Sequence, residues 1–249
     1  MLHDAIEKVL GPSLHFYLGI YVGKLCGLQS PFPRQAALNL AMHYVQMSKI
    51  EGDYLEFGVW QGNSFSAACY LAGKRKLAMN FYAFDSFQGL PENQEKDSSG
   101  HRMYTPGTFD CSEQQFLKNV KRRGADMSRV ITVPGWFEDS LRPENPKLAN
   151  LRKAAVAWVD CDLYSSTASV LNFLTDRLQY GALVFFDDWL GHRADANCGE
   201  QRAFREWLAA NPHISVVEFV RMGWVGNSFV VHDSGSSSLH SPVAGQSAA

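Results

Sequence analysis

The sequence predicts an α/β fold built on a doubly wound, mostly parallel sheet of seven strands whose last strand runs antiparallel. Three observations carry this. Between residues 52 and 232, short apolar runs alternate with stretches long enough to be helices. The runs are apolar throughout rather than at every second position, as strands covered on both faces are. The last two runs are only four residues apart, too few for a parallel crossover.

Each element follows in chain order. Residues 1–50 read as a helical entry segment, clearest in Ala36, Leu40, Ala41, Tyr44 and Val45 at steps of three and four, with Pro31 and Pro33 ahead of them as breakers. The α/β domain then spans 51–233. Its first five strands are YLEFGV (54–59), FYAF (81–84), VITV (130–133), AVAWV (155–159) and ALVFF (182–186). NSFSAACYLAG (63–73), SEQQFLKNVKRRG (112–124) and SSTASVLNFLTDRLQ (165–179) supply crossover helices, which imply right-handed connections. GEQRAFREWLAAN (199–211) adds a helix before the terminal pair ISVVEF (214–219) and WVGNSFVVH (224–232). From Ser234 to Ala249 only Leu239 and Val243 are sizeable aliphatics, so this tail is expected to be disordered.

Composition narrows the function classes. A chain of 249 residues, 46% hydrophobic, can bury a sizeable core in one α/β domain or two small ones. Its net charge is −2, and Lys and Arg do not gather into a stripe, so neither a nucleic-acid groove nor a polybasic membrane surface is supported. Small or neutral partners are expected instead. The nearly apolar stretch Leu14–Val22 is broken by His15 and too short to span a bilayer. The opening MLHDAIEKVL is amphipathic and acidic, unlike a secretory signal, so the expected address is the cytoplasm. Five scattered cysteines without a CxxC pair argue against a disulfide framework or structural zinc and read as reduced thiols.

In an open α/β sheet the ligand lies beyond the carboxyl ends of the strands, near the switch point. The first strand is followed by Gly58 and Gly62, four apart, which permit a tight turn and close backbone approach before a helix that starts near Ser64. The spacing is neither GxGxxG nor GxxxxGK[ST], so a polyphosphate is disfavoured. Asp85 ends the second strand, 27 positions after Gly58, where a carboxylate can accept from both ribose hydroxyls; capping the next turn is its structural alternative. After the third strand, Trp136 and Phe137 stand beside Glu138 and Asp139. They suit a purine with Asp139 accepting from its exocyclic amine, and they equally suit core packing.

The sharpest signal is Asp160-Cys161-Asp162 after the fourth strand and Asp187-Asp188 after the fifth. Four carboxylates at one rim need a counter-charge, and a hard dication such as Mg²⁺ supplies it through oxygen ligands. Helix capping is the alternative for these aspartates. No histidines fall at HxxxH spacing, which disfavours zinc, and His192 could serve as a base near the metal. The polar, glycine-containing stretch Pro91–Thr108 reads as a lid over the site, with a plain insertion as the alternative.

Five blocks, ExGVWxGxS (56–64), FDSFxGLPE (84–92), GxFxDSL (135–141), VDCDLYSST (159–167) and FFDDW (185–189), together resemble the macrocin O-methyltransferase family. The resemblance implies a Rossmann-like class I methyltransferase fold, S-adenosylmethionine and Mg²⁺ as cofactors, and a sugar hydroxyl of a glycosylated natural product as small-molecule acceptor. It places Glu56 and Gly58 at the methionine end, Asp85 on the ribose, and Ser86 with Asp139 near adenine. Gly62, Ser64, Trp136 and Asp160 complete the expected cofactor-binding set. Asp187 and Asp188 become metal ligands together with Asp160 or Asp162, a choice the motif leaves open. Asp160, Asp162 and His192 are the candidate catalytic residues. A catechol-type O-methyltransferase and a non-catalytic S-adenosylmethionine-binding subunit are the rival readings, and the four aspartates speak against the second. Hydride transfer is disfavoured by the missing GxGxxG. The acceptor, the methylated position and any homo-oligomeric assembly are left open.

Overall fold

The computed structural model describes residue 18, residues 33–92 and residues 105–233. The expected tail (234–249), most of residues 1–32 and residues 93–104 of the candidate lid lie outside the described residues. The elements are α1 (Pro33–Met47), β1 (Asp53–Phe57), α2 (Asn63–Lys74), β2 (Phe81–Asp85), α3 (Glu113–Arg122), β3 (Val130–Pro134), α4 (Phe137–Ser140), β4 (Ala154–Val159), α5 (Tyr164–Leu174), β5 (Leu178–Phe186), α6 (Gly199–Ala210), β6 (Ile214–Glu218) and β7 (Asn227–Asp233). Among the described residues, no helix is long and apolar enough to cross a membrane.

Seven strands form one sheet in the order β3-β2-β1-β4-β5-β7-β6. β1 to β5 pair in parallel, and β7 runs antiparallel to both β5 and β6. The sheet is wound on both sides because alternate residues of each buried strand serve opposite layers. Tyr54, Val156, Trp158, Leu183 and Phe185 face a layer that includes α1, α2 and α3, with Leu38, Phe65 and Phe116 in it. Leu55, Phe57, Ala157, Val159, Val184 and Phe186 face α5 and α6, where Leu171, Phe204 and Trp207 pack. Each large apolar side chain buried in this way contributes about 1.5–3 kcal/mol. α1 belongs to the first layer, so the boundary expected at residue 51 does not separate it from the core of the sheet.

Several element ends differ from the sequence reading. The helix expected over 165–179 stops at Leu174, and Leu178–Tyr180 extend β5 instead. The pairing of Ala154 with Leu178 and a register shift before Val156 recruit these residues to the sheet, while Gly181 at φ 79° absorbs the irregularity. Pro33, expected to precede the first helix, is its first residue, where proline's missing N–H costs nothing.

The amino ends of the central strands are tied by one buried carboxylate. Asp53, fully buried, accepts from Asn80 N at 2.9 Å, from Arg152 N at 3.0 Å and from the Arg152 guanidinium at 2.6 Å. These bonds join the starts of β1, β2 and β4. Asp53→Ala should therefore lower the unfolding free energy by about 2–3 kcal/mol, because it strands several donors at once. Urea denaturation checks this, and a loss below about 0.5 kcal/mol, the range of ordinary surface changes, would show that the clamp is peripheral.

Candidate active site

Beyond the carboxyl ends of the strands lies a cavity of about 470 Å³. Its walls are the loops after β1 to β5, the first turn of α1 and the β6–β7 turn. β1 and β4, adjacent in the sheet, begin crossovers to opposite sides, so their ends open the crevice that such sheets use for ligands.

The loop after β1 is shaped by close packing. Gly58 sits at φ 82°, and a Cβ there would lie 1.9 Å from the carbonyl oxygen of Asp160, so no side chain fits. Asp85 fastens this loop: its Oδ2 accepts from Val59 N at 2.8 Å and Trp60 N at 3.1 Å, and its Oδ1 accepts from Phe87 N at 2.8 Å. Burial raises the Asp85 pKa against these lowering hydrogen bonds. From α3 and its C-terminal end, Asn119 Nδ2 and Arg123 Nη1 donate to Gln61 O at 3.2 and 2.6 Å.

Gly58, Ser64, Asp85, Ser86, Trp136 and Asp160 of the expected cofactor set line the cavity. Glu56, Gly62 and Asp139 do not. Gly62 turns the chain into α2 at φ 76°, where a Cβ would press at 2.9 Å on Phe116 and Val120. Asp139 faces solvent and pairs with Arg142 at 2.8 Å, leaving Trp136, Phe137 and Glu138 to present that loop to the cavity. Glu56 is fully buried beneath the glycine loop, accepting from the Tyr54 hydroxyl and from Ser64 Oγ at 2.7 Å. Burial pushes its pKa up to about 8, with those two hydrogen bonds opposing the shift. Tyr54 was not singled out in the sequence, although its position two residues before Glu56 puts both on one face of β1.

The paired aspartates converge as their spacing suggested. One carboxylate oxygen from each of Asp160, Asp187 and Asp188 lies within 4.8 Å of the others. Burial, then the neighbouring aspartates, push Asp160 and Asp188 well above the usual carboxylate range. Asp162, at φ 61°, lines the same wall but shares a side-chain hydrogen bond with Asp188, and burial and Asp160 raise its pKa to about 7. The trio offers only oxygen donors, the chemistry of a Mg²⁺ site, and so fits the implied ion. Capping does not explain these residues: α5 and α6 are preceded by Leu163 and Cys198, and neither helix has a side-chain cap.

Three further residues shape the cluster. His192 is buried outside the cavity lining, with Nε2 3.0 Å from the carbonyl oxygen of Asp162, so it holds the turn after β4 rather than facing a substrate. This corrects its expected place as a base at the site. Glu200, also fully buried, accepts from Asp188 N at 3.0 Å and orients that residue from behind. Arg34 of α1 donates from Nε to Asp187 Oδ1 at 2.7 Å and from its terminal nitrogen to Oδ2. Neither Glu200 nor Arg34 lies in a strand-end motif: Glu200 reaches back from the helix that follows Asp188, 12 positions on, and Arg34 comes from α1, 153 positions before Asp187.

Known proteins resemble this chain in sequence and in fold. The chain is 31% identical, over 61% of its length, to the 8-demethyl-8-(2,3-dimethoxy-alpha-L-rhamnosyl)-tetracenomycin-C 4'-O-methyltransferase of Streptomyces olivaceus, covering 58% of that protein. It is 30% identical, over 61% of its length, to the mycinamicin III 3''-O-methyltransferase of Micromonospora griseorubida, covering 62% of it. The chain thus spans less than two thirds of the length of these relatives. Its fold matches that of the O-methyltransferase NovP with a TM-score of 0.68 at 23% identity, over 80% of this chain and 79% of that one. The sequence model of the family described as macrocin-O-methyltransferase (TylF) matches residues 33–220, and the chain belongs to that family.

Proposed function

We propose that this protein transfers the methyl group of S-adenosylmethionine to a hydroxyl of a small-molecule acceptor, a sugar of a glycosylated natural product, with Mg²⁺ held by Asp160, Asp187 and Asp188. The observation that carries this is the carboxylate trio, buried at Asp187 and half-buried at Asp160 and Asp188, on the rim of the same cavity that holds Gly58, Asp85 and Trp136. The relatives' activities on natural products, one of them rhamnosylated, support the acceptor class.

When bound, S-adenosylmethionine supplies an electrophilic methyl group, and Mg²⁺ supplies charge that makes a chelated hydroxyl more acidic. The protein contributes position and charge balance. Gly58, which lets the loop pack on the Asp160 carbonyl, lines the part of the cavity assigned to the methionine end, and Asp85 holds that loop while facing the cavity. Trp136 offers an aromatic face for the purine. Asp162 lines the cavity beside the trio, and we assign the acceptor's hydroxyl proton to its carboxylate. Leu90 N donates to Thr108 O at 2.9 Å and Gly107 N to Leu90 O at 2.9 Å, which fastens Gly107 and Thr108 beside Leu90 at the cavity.

S-adenosylhomocysteine, as a binding probe, should raise the Tm with a stabilisation of about 2.7 kcal/mol at a hundredfold excess over Kd, whereas NADH should give no shift. Asp85→Ala should abolish most of that shift, and an undiminished shift would remove Asp85 from the binding site. Methyl transfer to a verified acceptor should fall to background after chelation and return with Mg²⁺. Asp187→Asn should weaken Mg²⁺ binding by more than about tenfold, at least the scale of losing a supporting group at a metal site, with cofactor affinity nearly unchanged; chelator-resistant turnover would end the metal assignment.

Glu56 gives a pH test. Its folded pKa near 8 lies above the ordinary value of 4.5, so its contribution to stability is full below about pH 4.5 and is lost as pH rises through 8. Glu56→Gln removes this titration. The Tm of the wild type should therefore drop, relative to the variant, between pH 6 and 8 and level off above. Parallel Tm–pH curves would show that Glu56 is ionised in the folded protein.

A further inference from the structure

The counter-charge that the carboxylate cluster requires is already partly present. Arg34 engages both oxygens of Asp187, one of the three carboxylates assigned to the metal. The Asp187 side chain is 2% exposed while that of Arg34 is 51% exposed, so the arginine reaches the cluster from the open side.

We propose that Arg34 is the resident counter-cation of the metal-free site and that a divalent ion competes with it for Asp187, so that metal loading releases the guanidinium into the acceptor side of the cavity. This rests on the metal assignment above. A guanidinium and a dication at one carboxylate repel each other, and both of the Asp187 oxygens are engaged before a metal arrives. Release returns the Arg34 head to water, and the side chain as a whole is already half-exposed, so no packed stem has to be freed with it. The helix behind it stays in place, since Ala36, Ala37 and Leu38 are buried in the core. Pro33 lies against Gly223 of the β6–β7 turn, where a Cβ would be 3.2 Å from Pro33 Cγ. Arg34 and Trp224, the latter 74% exposed, line the same cavity, so the freed cation would remain there with a hydrogen-bonding head toward an incoming acceptor. In the metal-free protein, Arg34 instead holds Asp187 by both carboxylate oxygens.

The exchange is antagonistic, which a merely structural ion pair is not. Mg²⁺ and Mn²⁺ are titrated calorimetrically into the chelator-dialysed full chain, and Tm is measured with and without metal, for wild type, Arg34→Met and Arg34→Lys. Arg34→Met should bind either ion roughly tenfold more tightly, a coupling in the range of charge-assisted pairs. Its Tm should be lower without metal and should gain more on metal saturation than that of the wild type. Arg34→Lys, a compact charge that lacks the planar fork, should fall between the two. If Arg34→Met does not fold, Arg34→Lys against wild type carries the same comparison. Equal or weaker metal binding in the variants, beside clear binding by the wild type, overturns the exchange and leaves the metal site standing. Failure of both ions to bind any of the three proteins overturns the metal assignment and the exchange together.

Discussion

Everything at the site depends on the register of four parallel strands. Phe84 pairs with Phe57, Phe57 with Val159, and Val159 with Phe186, so one apolar row crosses β2, β1, β4 and β5. The next residue on each strand is Asp85, Gly58, Asp160 or Asp187, and these four come together at the rim without any loop having to carry them. A slip of one residue in any strand would turn its rim residue to the other face and bury a charge in an apolar layer. The fully buried apolar row resists such a slip, and rigid strands thereby position groups that chemistry needs within fractions of an ångström.

The second constraint is electrostatic and follows from the first. Register places acidic side chains at adjacent strand ends, and Glu200 and Glu56 add two buried carboxyls nearby. Burial and mutual repulsion push Asp160, Asp162, Asp188 and Glu200 toward protonation, while Arg34 pulls Asp160 the other way. The cluster is thus held between a proton-sharing state, visible in the Asp162–Asp188 hydrogen bond, and a cation-bound one. Such a balance is what the proposed exchange of a metal and a proton at this site would use.

Stability and chemistry are placed at opposite ends of the same strands. The Asp53 clamp, with Arg152 and Asn80, fastens the amino ends, where the cavity is absent. The carboxyl ends carry the glycines, the aspartates and the loop clamped by Leu90 and Thr108. Substitutions that retune the acceptor can therefore accumulate at the mouth, around Trp60, Phe109 and Trp224, without touching the interactions that hold the sheet. The fold alone does not select an acceptor, and these exposed aromatics are where selection among acceptors would act.

The sequence by itself determined the strands, their mostly parallel sense and the antiparallel ending, because burial on both faces and connection length are local properties. It also determined which strand ends carry acids, and hence Asp85, Asp160, Asp187 and Asp188 as rim residues. Tertiary structure decided what required a partner from elsewhere in the chain. Insertion of β7 between β5 and β6, and recruitment of Leu178 to β5, depend on pairing partners distant in sequence. The close trio is Asp160, Asp187 and Asp188, while Asp162, at φ 61° in a turn that His192 braces, stands beside it hydrogen-bonded to Asp188. Arg34 reaches Asp187 across 153 positions, and Tyr54 and Ser64 close on Glu56 beneath the glycine loop. A side chain's neighbours, and with them its charge, are set by packing between elements, and local spacing does not encode them.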